Sequence, residues 1–186
     1  MRPALAIFAA AVLGQWLVPL FGVWQHERVI ARGVPLKIRC AAPDPYDPFR
    51  GRHLAVRPEE SRVPKPAGMP DKGTAPVWAT LVAGDDGLSR IESLSLEPVT
   101  GPHVIRLVAK WQDRNDDGEM VFVEWPFDRL YLNERLALGA DKLVAERFRE
   151  SQNMVAEIRL LEGRAVLTDV LIDGVSIREV VKQRAE

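Results

Sequence analysis

The spacing of apolar and polar residues changes character at Gly33. Before it, Pro3 to Trp24 reads PALAIFAAAVLGQWLVPLFGVW, without one charged side chain. At 1.5 Å per residue a helix of this length is about 33 Å long, close to the hydrocarbon thickness of a bilayer. Backbone amides find no water in lipid, so a single segment crosses only as a helix. The pattern predicts a membrane anchor, with Trp24 at the level where interfacial aromatic rings collect. A cleaved signal peptide is the alternative, but its apolar core is about 7–15 residues, with a charged leader and a small-x-small cleavage site. Here Arg2 is the whole leader charge and bulky residues follow Trp24. An uncleaved anchor fits better. Helical spacing continues through Arg32 and stops at Gly33, a C′ glycine ahead of Pro35. Residues 1–33 are expected to be the anchor and its extension, and residues 34–186 a single β-rich domain.

After Gly33 the period falls to two. Val34–Cys40 sets Val, Leu, Ile and Cys against Pro, Lys and Arg, as a half-buried strand does. A second strand is expected at Arg52–Arg57. Val77–Ala83 and Leu88–Leu96 flank Gly-Asp-Asp-Gly, a hairpin turn. His103–Gln112 and Glu119–Trp125 form a second pair, and Met154–Leu161 with Arg164–Ile172 a third through Glu162-Gly163. Phe127–Leu132 reads as aromatic and irregular. Ala140–Arg149 carries Leu143, Val144, Arg147 and Phe148 at helical spacing and is the one sizeable helix expected in the domain. Pro58–Pro76 holds five prolines and few apolar residues, which predicts a mobile surface loop. The fold class expected is mainly β (α+β): a small antiparallel barrel or sandwich with one short helix.

Composition narrows function more than fold. The net charge is −1 with Lys and Arg scattered, which leaves no electrostatic footprint for nucleic acid. Cys40 is the lone cysteine, so neither a disulfide framework nor a multi-cysteine metal site is available. No glycine-rich phosphate loop is present.

Past the first strand comes Asp44-Pro-Tyr-Asp47-Pro48-Phe49-Arg50-Gly51, two Asp-Pro steps closed by a glycine. An anchor, a strand and this motif leading into another strand resemble the GDYXXLXY family of bacterial membrane-anchored proteins. The signature Gly matches Gly51, while Arg52 and His53 stand where the family has Asp-Tyr, Val56 where it has Leu and Pro58 where it has Tyr. Later segments follow the same order, with SLEP at Ser95–Pro98 and IDG at Ile172–Gly174. The resemblance implies one N-terminal membrane helix, a domain outside the cytoplasm of a bacterial inner membrane and a multi-spanning membrane protein as companion. It implies no particular activity. The basic residues Arg28, Arg32, Lys37 and Arg39 against Arg2 would by themselves place the domain inside; the resemblance is given precedence, and the domain is expected to be periplasmic.

Several clusters invite chemistry. Asp113, Asn115 and Asp117, with Gly118 and with Glu124 at the twelfth position, match the spacing of a calcium loop, whose oxygens converge on one hard cation. That loop needs helices on both sides, whereas the flanks here are strand-like, so an acidic turn is the stronger expectation. Asp44, Asp47 and Arg50 with Gly51 suit turn capping and a binding surface near the anchor. The same residues would serve an envelope hydrolase or small-ligand-binding domain. Ser61 and Lys65 suggest the Ser–Lys pair of a signal peptidase, but no strand positions them. His26, His53 and His103 lack ligand spacing. The expectation is a non-enzymatic accessory or interaction protein, without a required cofactor, whose partners are the bilayer and a membrane protein.

Overall fold

The computed structural model describes residues 3–41, 53–70, 72–111, 120–131 and 153–179, with the side chains of 4–6, 9, 10 and 53 left out of that description. Helix α1 runs Pro3–Arg32. Among the described residues twelve strands follow: β1 Val34–Ala41, β2 His53–Ala55, β3 Arg57–Pro58, β4 Arg62–Pro64, β5 Thr74–Ala83, β6 Ser89–Ser95, β7 Val104–Lys110, β8 Met120–Glu124, β9 Arg129–Tyr131, β10 Met154–Leu161, β11 Arg164–Ile172 and β12 Val175–Ser176. The domain is mainly β, as expected.

The strands form two antiparallel five-stranded sheets, ordered β12-β11-β10-β1-β3 and β4-β8-β7-β5-β6, and a small β2-β9 pair. Local chemistry fixes the hairpins. Glu162 (φ 51°) and Gly163 (φ 79°) turn β10 into β11, and Asp173 (φ 52°) and Gly174 (φ 81°) turn β11 into β12. Both are two-residue loops with positive φ at each position, whose twist matches that of the strands they join. Gly84–Gly87 joins β5 and β6 as anticipated, and β7 and β8 pair with Lys110 opposite Phe122.

The second sheet curls until its outer strands meet. A bulge between Thr80 and Leu81, set against Glu92, increases its twist. On the β6 edge the Ile91 amide donates to the Glu60 carboxylate at 2.7 Å, just ahead of β4. The main-chain oxygen of Glu60 accepts the Trp125 indole N–H at 3.0 Å. One glutamate thus bridges a gap that none of the described strands fills, and the sheet becomes a nearly closed barrel. The other sheet attaches where the Arg106 amide donates to the Gly163 carbonyl at 2.9 Å.

Two buried clusters result, one around Ile38, Met154, Ile158 and Ile172, the other around Val77, Ile105, Leu107 and Val121. Leu36, Trp125 and Ala165 pack against both, and Leu160, 1% exposed, carries β10 into the second.

Three expectations change. Arg52–Arg57 is not one strand: β2 pairs with β9, whereas β3 pairs with β1, and Val56 between them is buried with its amide bonded to the Asp128 carbonyl. Phe127–Leu132 contains β9. The Pro58–Pro76 stretch contains β4 and buries Val63 and Met69, because its sparse apolar side chains join the buried cluster of the second sheet. For the anchor, no helix among the described residues is long and apolar enough to cross a membrane; Ala4, Leu5, Ala6, Ala9 and Ala10 stand outside that statement. The helix expected at Ala140–Arg149 lies outside the described residues.

Leu160→Ala is expected to remove packing from the region where the clusters meet and to destabilise the domain by about 2–5 kcal/mol in urea unfolding. An undiminished midpoint would show the clusters to be independent.

Candidate functional site

The best-defined polar assembly outside the barrel lies where α1 meets the β10–β11 hairpin. Helical spacing aligns Gln25, Arg28, Val29 and Arg32 toward one side of the last turns, since residues three and four apart are neighbours. Val29 is buried at 4% exposure. Around it the Arg28 guanidinium pairs with Glu162 at 2.7 Å, and Arg164 donates to the Gln25 side-chain oxygen. Arg159 Nη1 donates to the Gly33 carbonyl at 3.2 Å, meeting the helix C-terminus with a cation. Lys37 faces Glu157 across β1 and β10 at 3.4 Å.

Gly33 permits this seam. A β-carbon there would lie 2.5 Å from the Val29 carbonyl oxygen and 3.0 Å from both Arg159 Cβ and the Leu160 amide nitrogen. Two of those atoms are backbone and cannot move cheaply. The glycine is therefore needed for close approach, not for the positive φ expected of a C′ residue; among positive-φ glycines Gly33 does not figure. Its amide still donates to the Val29 carbonyl at 2.8 Å.

Beyond Gln25 the helix surface changes. Leu13, Trp16, Leu17, Val18, Leu20, Phe21, Val23 and Trp24 are all more than half exposed. Trp24 stacks on Phe21 with ring centroids 5.8 Å apart, and the Arg28 guanidinium lies 5.8 Å from the Trp24 ring. The Trp24 ring thus lies between an apolar span and a cation.

A second polar group sits at the β5–β6 turn. Asp86 accepts the Leu88 amide at 3.1 Å, Arg90 at 2.8 Å and Arg39 at 3.4 Å. The Leu88 amide first, then Arg90 and Arg39, hold its carboxyl below the usual range. Arg39 also approaches Glu59 at 4.0 Å. These pairs join β1 to the barrel, but they are exposed and screened, so each contributes little.

Asp44, Asp47, Arg50 and Gly51 lie outside the described residues, as do Asp113, Asn115 and Asp117. Of the calcium set only Glu124 is described: it stands on β8, exposed, paired with the Lys110 ammonium. Among the described residues no group of three or more His, Cys, Asp and Glu gathers to hold a metal. Ser61 is half-buried ahead of β4, its carbonyl accepting the Val123 amide. His26 and His103 are exposed. Sequence reasoning missed the docking surface on the β10–β11 hairpin; Glu162, Arg164 and the helical run from Gln25 to Arg32 were visible, but not their meeting across the chain.

Cys40 is buried, with its thiol 3.6 Å from the Ile38 carbonyl. Burial pushes the thiol up to about 12 from 9.0, and the Glu59 carboxylate acts in the same direction against the Ala156 backbone contact. The neutral thiol favours the fold. The unfolded chain ionises first, so this contribution is complete below pH 9.0 and is lost as pH rises toward 12. A thiol reagent at pH 8 is expected to leave Cys40 untouched until denaturant is added; rapid labelling of the native protein would contradict its burial. Gly33→Ala is expected to lower the domain's thermal midpoint through the Val29 and Arg159 contacts, whereas Gly22→Ala, with nothing within 4 Å of its β-carbon position, leaves the midpoint unchanged.

No curated protein and no solved structure matches this chain. The family model described as GDYXXLXY protein matches residues 15–170. That range begins inside α1, crosses the seam and runs into β11, covering most of the helix surface and sheets described above. The chain belongs to the GDYXXLXY family.

Proposed function

We propose that α1 tethers this protein to a lipid bilayer as a single-pass anchor, with the β-rich domain on the periplasmic side of a bacterial inner membrane. There it works as a non-enzymatic accessory protein that binds a multi-spanning membrane protein. One observation carries the proposal: a charge-free helical stretch exposes apolar side chains around its circumference and then docks its charged end on the domain. Exposed surface of that size and polarity has no stable place in water, since contiguous apolar patches on soluble proteins rarely exceed a few hundred Å². With Ala4, Leu5, Ala6, Ala9 and Ala10 included, the uncharged run extends from Pro3 to Trp24 and reaches about 33 Å. The Phe21–Trp24–Arg28 arrangement supports an interface near Trp24.

In membranes from cells producing the full chain, the protein is expected to stay in the pellet through washes with sodium carbonate at high pH and with concentrated salt. Purification in mild detergent is expected to bring a multi-spanning protein with it in fixed proportion. Release by carbonate would overturn the anchor; a clean monomer in mild detergent would overturn the partnership.

A further inference from the structure

Resting on that reading of α1, we infer that the Gln15–Gly22 face of the helix is the contact surface for one membrane-spanning helix of another protein. That helix presents a hydrogen-bond donor at the level of Gln15 and ends at the headgroups beneath the β domain.

Within Pro3–Trp24 the one amide side chain is Gln15. It is exposed, and among the described residues it has no hydrogen-bond partner. A primary amide carries two N–H donors and an acceptor oxygen, all of which need partners in hydrocarbon. Pro19 adds a second deficit at the same place. A helical carbonyl is normally met by the amide four residues on, and for Gln15 that residue is proline, which has none. A side-chain amide and an orphaned main-chain carbonyl therefore lie at one depth. Polar groups across membrane helices satisfy each other in this way.

The direction of this face follows from the seam. Gln15, Gly22 and Val29 are spaced by seven residues, which shifts them by only about 20° per step around a straight helix. At Val29 this face is buried against the domain. At Gly22 it is open, with nothing within 4 Å of a β-carbon position, so another backbone can come close. An incoming helix at Gln15 and Gly22 thus continues the established α1–hairpin interface downward into the membrane. Such a helix sits under the domain. A second copy packed in parallel would carry its own domain on the same face into the same space, and an antiparallel copy would need the opposite membrane orientation. A helix that turns at the headgroups meets neither obstacle.

The test places a benzophenone amino acid at Val18, flanking this face, or at Leu17, on the far side, in the full chain in native membranes. Illumination is expected to join the Val18 probe to one other membrane protein and the Leu17 probe to lipid alone. In the Val18 background, Gln15→Leu is expected to cut that adduct about threefold, the order found for one interhelical polar contact, while Gln15→Asn keeps it. Adducts between two copies, lipid adducts at both positions, or a yield indifferent to Gln15→Leu would each overturn the inference. Carbonate extraction of the same membranes separates the two readings: loss of the protein to the wash sinks the anchor, whereas retention without a protein adduct sinks only the helix contact.

Discussion

The closeness of one helix turn to one strand governs how this molecule is put together. At Gly33 the last turn of α1 and the β10 backbone approach until no β-carbon fits between them. Only Gly33 separates the end of α1 at Arg32 from the start of β1 at Val34, and Val34 already pairs with Leu160. There is no linker in which the direction of the helix could be lost. The Arg28–Glu162 pair, the Arg164–Gln25 hydrogen bond and buried Val29 then fix the rotation of the helix on the hairpin. Individually the exposed pairs are weak. Steric fit at the glycine sets the geometry, and the polar contacts select its register.

From that seam the fold grows outward through β10. Its residues pair with β1 on one side and β11 on the other, while Leu160 reaches the barrel core. The barrel closes through Glu60, a carboxylate acting where a further strand would otherwise stand. Bonding to an amide at a sheet edge also removes a site at which another chain could add a strand. Arg39 and Asp86 supply a lateral tie between β1 and the β5–β6 turn. Each of these links joins elements far apart in the chain.

The parts of the fold legible in the sequence were those decided locally. Alternation in Val34–Ala41 buries Ile38 and Cys40 and exposes Lys37 and Arg39, as period two requires. The Asp-Asp-Gly and Glu-Gly turns announced their hairpins through residues that tolerate positive φ or bond their own backbone. What escaped was decided at a distance. Nothing near His53 says that it pairs with Tyr131, or that the chain breaks at Val56 to change sheets. β4 is three residues long and holds two of its neighbours through Glu60 and Ser61, so its own composition carries almost no strand signal. Gly33 was correctly seen as a stop, but for a different reason: a side chain there would meet the Val29 carbonyl oxygen at 2.5 Å and, from across the chain, Arg159 Cβ and the Leu160 amide nitrogen at 3.0 Å. The Asp-Pro and Asp-rich clusters singled out by motif spacing lie outside the described residues.

A helix joined to a sheet without a linker changes what binding at the helix can do. In a protein tethered through a flexible segment, a contact within the membrane fixes the anchor and leaves the domain free. Here a rotation or tilt of α1 passes to β1 through the single residue Gly33, whose close approach to Arg159 and Leu160 ties the same point to β10. With α1 as the proposed anchor, the Trp24 ring between Phe21 and Arg28 would add a preferred depth at the same junction. On the proposed reading, a partner engaging the apolar span would act on the orientation of both sheets, and anything engaging the sheets would act on the helix in return, by the reciprocity that any coupled pair of equilibria obeys. Such coupling needs no catalytic group. It needs only that the close contact at Gly33 survive the displacement.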